Sequence, residues 1–211
     1  MARPRTQKLP NGYYFTFVIY PEEFGKRVNL LYNLGSIFLS PIHHGDYKGK
    51  PKSDFEIVKK VKDHQHIMVR APTKQTANSF IKQLSELLHN DFTGIAILKE
   101  MILVSDVPQM LRYFYHLDNP LKEHFPIELA LDDVLPNFTD MVIKAFDREI
   151  RGIVCANIFA GNITSFQDIC TYGSFNIVFQ EWLFKSHNAY VVKNLLDERK
   201  HNYVKQENSR N

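Results

Sequence analysis

The sequence predicts an α+β protein, with a ferredoxin-like antiparallel sheet that carries helices on one face, followed by a small all-α domain. The first part of the chain alternates sheet-forming and helical patterns in the order strand, helix, strand, strand, helix, strand, which is the ferredoxin-like order. After residue 136 the apolar residues recur only at helical spacing. With 44% hydrophobic residues among 211, including 16 Phe and 10 Tyr, the chain can build a packed core.

The elements of the first part are predicted from local patterns. Residues 13–20 (YYFTFVIY) are β-branched and aromatic throughout, which is typical of a buried strand. Apolar side chains three or four positions apart predict the first helix, and Gly35 ends it. Asp106 has the position of an N-cap for the last helix, with Gln109 at its third position. The predicted strands are 13–20, 37–42, 64–70 and 94–104, the last interrupted at 99–100, and the predicted helices are 21–35, 73–89 and 107–117.

Two domains are predicted. The first spans 1–131, and the Pro-flanked segment 132–136 is a linker. The second spans 137–211, is helical, and ends in a polar tail from Lys200 that we expect to be frayed. Its predicted helices are 138–150, 153–160, 166–172, 177–183 and 189–199.

Composition argues against several classes of protein. Cys155 and Cys170 are the two cysteines, and their apolar surroundings favour core thiols in a reducing cytoplasm over a disulfide. The first residues, MARPR, have no apolar run after the basic residues, so we expect no signal peptide. No stretch approaches the ~20 apolar residues of a membrane span. The formal net charge of +3 permits a nucleic-acid partner without requiring one.

Four residues are candidates for one metal site. His64 and His66 are two apart in a predicted strand, so both side chains point to the same face. His43 and Asp46 follow the strand that can lie next to it in a ferredoxin-like sheet. Three imidazoles and a carboxylate suit Mn²⁺, Mg²⁺ or Zn²⁺. A closed metal site would be structural, and an open one could polarise a phosphate. The alternative interpretation is that the histidines lie on the surface and bind no metal.

Tyr113 lies on the predicted helix after the last strand. A tyrosine next to a metal-bound phosphate can attack phosphorus and form a covalent phosphotyrosine. An ordinary core residue of an amphipathic helix is the alternative. Tyr115 is two positions on, about 200° around the helix, so the two phenols cannot face the same metal.

These residues resemble a known family. The segments 40–46 (SPIHHGD), 64–66 (HQH) and 112–120 (RYFYHLDNP) have the order and spacing found in the RepB class of rolling-circle plasmid replication initiators, within the HUH endonuclease group. The first strand, within 15–22 (FTFVIYPE), also resembles the family pattern. The likeness covers about residues 13–120, and the helical C-terminal part fits as well.

The resemblance implies an HUH nuclease-like fold and an enzyme, a metal-dependent, site-specific DNA endonuclease and strand transferase. It implies that His43, Asp46, His64 and His66 hold Mn²⁺ or Mg²⁺ and that Tyr113 is the nicking nucleophile. The implied substrate is a plasmid origin, bound as duplex and cut as single-stranded or hairpin DNA, with a 3′-hydroxyl left for the host replication machinery.

The resemblance also bears on assembly and location. The helical domain would form a homo-oligomer, in some members of the family a hexamer. The protein would be plasmid-encoded and would act in a prokaryotic cytoplasm without a membrane partner. Exposure of Trp182 or Phe184 would favour an oligomer interface in this domain.

The sequence departs from the family pattern in two motifs. The middle residue of the His-x-His triplet is usually bulky and apolar, whereas Gln65 needs a hydrogen-bond partner if it is buried. Family members also tend to read HDKD where residues 43–46 read HHGD, so His44 competes with His43 as a ligand. The offset to Asp46 favours His43.

Basic residues near the predicted site are candidates for contacts with DNA phosphates, with a solvated loop as the alternative for the lysines. They are Lys48, Lys50, Lys52, Arg70 and Arg112. Other functions stay open: a non-catalytic DNA-binding regulator with a structural metal, or a metal phosphoesterase that uses water while Tyr113 only positions the substrate. A mobilisation relaxase would share the motifs, but the short chain and the C-terminal helices favour an initiator.

Overall fold

The computed structural model describes residues 11–44, 62–97, 102–119, 122–127, 136–171, 176–185 and 187–208. The chain divides into two compact units, Met1–Phe125 and Pro126–Asn211. The predicted linker, 132–136, lies outside the described residues except for Pro136, which begins a helix.

The first unit contains a four-stranded antiparallel open sheet. Its strands are β1 Gly12–Ile19, β2 Ser36–Leu39, β3 Gln65–Gln75 and β4 Ile95–Ala96. Their order in the sheet is β2-β3-β1-β4, so the long β3 pairs with β2 on one side and β1 on the other. The predicted order of strands and helices is the observed one, and the α+β class is confirmed. The strand predicted over 94–104 is much shorter, although Leu103 rejoins β1 in a bridge to Phe15.

The helical elements of this unit are α1 Pro21–Phe24, a 3₁₀ helix Gly25–Leu34, α2 Ala77–Leu87 and α3 Val107–Phe114. The first predicted helix is therefore α-helical over four residues only. Gly25 adopts φ +53°, a left-handed value that ends an α-helix, and the chain continues as 3₁₀. Gly35 ends the segment, as predicted. Glycine is needed at this position because a Cβ there would lie 2.1 Å from the carbonyl oxygen of Arg70. The N-cap prediction is confirmed: the Asp106 carboxylate accepts from the Gln109 N–H at 3.0 Å.

Helical segments cover both faces of the sheet. Phe17 of β1 pairs with Ile67 of β3, and both belong to the apolar core that also contains Phe80 of α2. His66, one residue earlier, points to the opposite face, because side chains alternate along a strand. There the ring of Phe114 from α3 stacks on it, with ring centroids 5.0 Å apart. The prediction of helices on one face is thus wrong for α3, which covers the second face.

The second unit is helical, as predicted. Its helices are α4 Pro136–Ala160, α5 Phe166–Cys170, α6 Asn176–Leu183 and α7 Asn188–Asn208. One helix, α4, replaces the two predicted over 138–160, and its break is at Phe146 rather than near Gly152. A single glycine costs a helix only ~1 kcal/mol, which is too little to end one held by packing. The tail predicted to fray from Lys200 is helical as far as Asn208.

Two expectations from composition concern the whole chain. Cys155 and Cys170 are both free thiols. Within the described part of the chain, no helix has the length and apolar character needed to cross a membrane.

Candidate metal centre

Strand pairing brings three histidines together. His66 is the second residue of β3, and His64 lies just before that strand. His43 follows β2 and forms a bridge with His64, in which the main-chain N–H of His43 donates to the carbonyl of His64 at 2.8 Å. The ring centroids are 5.1 Å (His43–His64), 4.8 Å (His43–His66) and 5.3 Å (His64–His66) apart. The cross-strand bridge therefore supplies the third imidazole to the pair that alternation along β3 provides.

These three side chains could hold a metal ion. One nitrogen from each ring lies within 4.8 Å of the others, and all three residues are buried, with exposures of 1%, 8% and 8% for His43, His64 and His66. The pKa of His66 is well below its ordinary value. Burial is the main cause, and the neighbouring His43 and His64 lower it further. Its ring is therefore neutral near pH 7 and keeps a nitrogen lone pair, which a metal ligand requires. The donor set fits a divalent cation.

Backbone carbonyls select which nitrogen of two of these rings can bind a cation. The Nδ1–H of His64 donates to the carbonyl of Lys62 at 3.0 Å, and the Nε2–H of His43 donates to the carbonyl of Phe114 at 2.9 Å. A carbonyl only accepts, so these nitrogens carry the hydrogens. The lone pairs are then on His64 Nε2 and His43 Nδ1. Metal-binding histidines in proteins commonly make such a bond with the other nitrogen.

Tyr113 lies beside this group, on α3. Its ring stands edge-on to that of His66, with centroids 5.4 Å apart and planes at 69°. Tyr113 is half-buried, whereas Tyr115 is 1% exposed and packs near Phe38. Burial raises the pKa of the Tyr115 phenol above its ordinary value, so that phenol stays protonated. The ring of Tyr113 therefore contacts the histidine group through His66.

Gln65 and Ser40 fix the end of β3 on which the site depends. The side-chain amide of Gln65 donates to the carbonyl of Ser40 at 2.9 Å, which supplies the partner that this polar residue needs. The hydroxyl of Ser40 accepts from the main-chain N–H of His66 at 2.9 Å, and the Ser40 N–H donates to the His66 carbonyl at 2.9 Å. Ser40 thus continues the pairing of β2 with β3 up to the histidines.

The structure separates His44 from His43. The side chain of His44 is 64% exposed and forms a hydrogen bond with Asp63, whose carboxylate lies 2.6 Å from His44 Nδ1. His43 is the residue that joins the buried group. Four other predicted site residues lie outside the described part of the chain: Asp46, Lys48, Lys50 and Lys52.

The two predicted DNA-contacting arginines have partners within the protein. The guanidinium of Arg112 donates from Nε to Asp118 at 3.0 Å, and its Nη2 lies 2.9 Å from the same oxygen. The guanidinium of Arg70 lies over the ring of Tyr13, 6.0 Å from its centroid. Asp118 neutralises Arg112, which weakens it as a phosphate contact, while Arg70 keeps its charge.

Sequence reasoning missed His116 and Lys122. His116 is 6% exposed, and its Nε2 lies 3.2 Å from Nδ1 of His43. The Nζ of Lys122 lies 3.3 Å from the same His116 nitrogen. His116 belongs to the segment 112–120 that carries the resemblance, but it has no regular spacing from the other histidines, because the chain leaves the helix at Tyr115 and His116 takes φ +58°.

No protein-family model matches this chain, and a search of curated proteins finds no match. The class of the site is therefore defined by its own geometry. It is a buried three-histidine group that could bind a metal ion, at the end of an antiparallel sheet in an α+β unit.

Proposed function

We propose that this protein is a rolling-circle replication initiator, an HUH-type endonuclease that nicks one strand of a plasmid origin through Tyr113. The observation that carries the proposal is the position of Tyr113, with its ring 5.4 Å from that of His66 in a buried three-histidine group. Tyrosine transesterification needs a phenol beside a phosphate held by a cation. The sheet order β2-β3-β1-β4, with its strand and helix sequence, supports a ferredoxin-like, HUH nuclease-like fold.

The proposed ligands are His43, His64 and His66, with Asp46 as the carboxylate that the motif adds. A bound Mn²⁺ or Mg²⁺ would supply Lewis acidity and charge neutralisation at the phosphate oxygens. The oxygen ligands that these ions prefer would come from Asp46 and the substrate. Main-chain pairing of the strands, the carbonyl bonds of the His43 and His64 rings and the stacking of Phe114 on His66 keep the donor atoms in place before DNA arrives.

The proposed reaction breaks one phosphodiester bond of the DNA and transfers its phosphate from the 3′ oxygen to the oxygen of Tyr113. The phenol of Tyr113 gives up its proton and its oxygen attacks phosphorus. The bond from phosphorus to the 3′ oxygen breaks, and that oxygen takes up a proton to become the 3′-hydroxyl that primes the host polymerase. The 5′ phosphate stays on Tyr113 as a phosphotyrosine, which keeps the bond energy for a later rejoining.

The DNA-binding part of the proposal depends on basic residues around the site. Lys48, Lys50, Lys52 and Arg70 would contact the phosphate backbone, with Arg112 a weaker candidate because Asp118 pairs with it. The cut segment would be single-stranded or a hairpin, since its phosphate must reach the histidine group. Binding by such contacts weakens steeply with salt, so the slope of affinity against salt should fall when the three lysines are changed to alanine.

We extend the proposal to the second unit as an oligomerisation domain. Trp182 is buried and its indole N–H donates to Asp147 at 2.8 Å, so Trp182 is a core residue and not an interface marker. Phe184, in contrast, is 78% exposed. Phe159, Ile177 and Tyr190 are exposed as well, at 58%, 58% and 68%. Large exposed apolar side chains favour an interface, and a homo-oligomer such as a hexamer in the host cytoplasm would use them.

The deciding experiment is incubation of the protein with a supercoiled origin plasmid and Mn²⁺. The expected product is a relaxed circle with covalently attached protein. Tyr113→Phe should abolish both while origin binding stays intact. Tyr115→Phe is the matched control, since the same change two residues away removes a buried phenol and should leave nicking in place. Nicking by Tyr113→Phe at the wild-type rate would show that another group is the nucleophile.

A second function has support from one observation. The three histidines are at most 8% exposed, which also suits a structural metal ion in a DNA-binding regulator without catalysis. The two functions differ in their products. A regulator binds origin DNA and contains metal but yields no relaxed circle, and a water-using phosphoesterase yields a nick without attached protein.

A further inference from the structure

Lys122 is a half-buried lysine beside the histidine group. Its Nζ lies 3.3 Å from Nε2 of His116, and that nitrogen lies 3.2 Å from Nδ1 of His43. Nδ1 of His116 lies 3.1 Å from the carbonyl oxygen of Glu123, which only accepts, so Nδ1 carries the hydrogen and Nε2 accepts from the ammonium. Two contacts therefore join the ammonium of Lys122 to a proposed metal ligand.

The chain around Lys122 is held against the site. The main-chain N–H of Lys122 donates to the carbonyl of Asn119 at 3.2 Å, and that of Phe125 donates to the carbonyl of Tyr115 at 3.1 Å. The ring of Phe125 stacks on that of His43, with centroids 5.0 Å apart and planes at 24°. The position of the ammonium therefore depends on how the chain turns back over the site after α3.

The contact with His116 fixes the ammonium of Lys122 without cancelling its charge. A neutral imidazole accepts a hydrogen bond but carries no negative charge, in contrast to Asp118, which pairs with Arg112. After burial and the neighbouring histidines, the charge of Lys122 is a further cause of the low pKa of His66, so its field extends to the proposed ligands. A positive charge there disfavours a bare cation and favours a cation that carries an anion.

A phosphate fits this arrangement of charges. A metal ion on Nδ1 of His43 and a phosphate oxygen on that ion, through two bonds of ~2.1 Å, span a length similar to the two contacts that lead to Lys122. We propose that Lys122 binds an oxygen of the phosphate that the metal centre holds, which in the proposed reaction is the phosphate that Tyr113 attacks. The ammonium would then stabilise the negative charge that develops on the phosphate oxygens. This inference rests on the metal centre of the proposed function, and phosphate binding there can be measured without nicking.

The first test compares two affinities of the intact protein. Mn²⁺ binding is measured by EPR, and binding of the dinucleotide TpT, which has a single phosphodiester, is measured by the ³¹P relaxation that bound Mn²⁺ causes. Lys122→Met should weaken TpT binding ~10-fold or more, as expected for a lost charge-assisted hydrogen bond. It should leave Mn²⁺ binding unchanged or tighter, because it removes a positive charge near the ion. Lys74→Met is the matched control: Lys74 is an exposed lysine at the far end of β3 and should change neither affinity.

Two further measurements separate the charge of Lys122 from a structural role. Lys122→Arg keeps the positive charge and should retain most of the TpT binding. TpT with a methylphosphonate linkage carries no negative charge, so Lys122→Met should leave its affinity unchanged. Wild-type TpT affinity in Lys122→Met, or an equal loss for the uncharged analogue, would overturn the proposal. Weaker Mn²⁺ binding in Lys122→Met would also overturn it, since Lys122 would then support the histidines instead.

The wild-type protein separates this inference from the proposed reaction. If the wild type binds no Mn²⁺, or binds Mn²⁺ but no TpT, the inference fails. TpT binding that depends on Lys122, in a protein that leaves the supercoiled plasmid uncut, would overturn the proposed reaction alone.

Discussion

Ser40→Ala tests whether the hydroxyl of Ser40 fixes the strand end that carries the histidines. Ser40 is 3% exposed, and its Oγ is 2.9 Å from the main-chain nitrogen of His66 and 2.7 Å from the carbonyl oxygen of Pro41. Alanine removes the acceptor and leaves the buried His66 N–H without it. A buried donor that loses its partner costs about 1–3 kcal/mol. Pro41 is half-buried, and we add nothing for its carbonyl.

The expected free-energy cost predicts a measurable change in the hydrogen exchange of β3. A loss of about 1–3 kcal/mol raises the opening equilibrium of β3 roughly 5- to 150-fold. Hydrogen–deuterium exchange of peptides spanning β3, measured by mass spectrometry without added metal, reports this opening. Mn²⁺ affinity should fall in the same variant, because His66 is less firmly held.

The control is Ser79→Ala, which removes an exposed hydroxyl that donates to Gln75. This substitution should change the free energy of unfolding by no more than ~0.5 kcal/mol. Exchange in β3 at the wild-type rate in Ser40→Ala would refute the reasoning, since it would mean that the His66 N–H does not depend on the hydroxyl.

Three further outcomes are expected. In a chelator, the free energy of unfolding should rise with pH up to about 6.5: burial lowers the pKa of His66 in the folded state, so the unfolded chain, with an ordinary pKa of 6.5, binds the proton first. Urea titrations at several pH values should show the slope, and His66→Asn should reduce it. Gly35→Ala should lower stability by more than ~1 kcal/mol in urea, since its Cβ would meet the carbonyl of Arg70 at 2.1 Å. Phe184→Ser with Ile177→Ser should reduce the mass measured by light scattering if the second unit forms an oligomer; an unchanged mass would remove these side chains from the interface.

Local patterns in the sequence determined the elements and part of the site. Alternation along a strand placed His64 and His66 on one face, because side chains repeat every two residues whatever the strand pairs with. The N-cap at Asp106 was also readable, since a cap involves only residues a few positions apart. The first helix was predicted at the correct position but as the wrong type. Apolar spacing hardly separates an α-helix from a 3₁₀ helix, and the change from one to the other occurs at Gly25, which takes a left-handed φ.

The site itself needed the tertiary structure. His43 and His44 are neighbours in sequence, and only the bridge to His64 decides that His43 enters the buried group while His44 pairs with Asp63. The tertiary structure likewise decides which face of the sheet α3 covers and that His116 contacts His43. A sequence pattern specifies how often side chains return to one face of an element, but not which distant residue opposes them. That depends on strand register and on how the chain turns after α3, and both are set by packing across the whole unit.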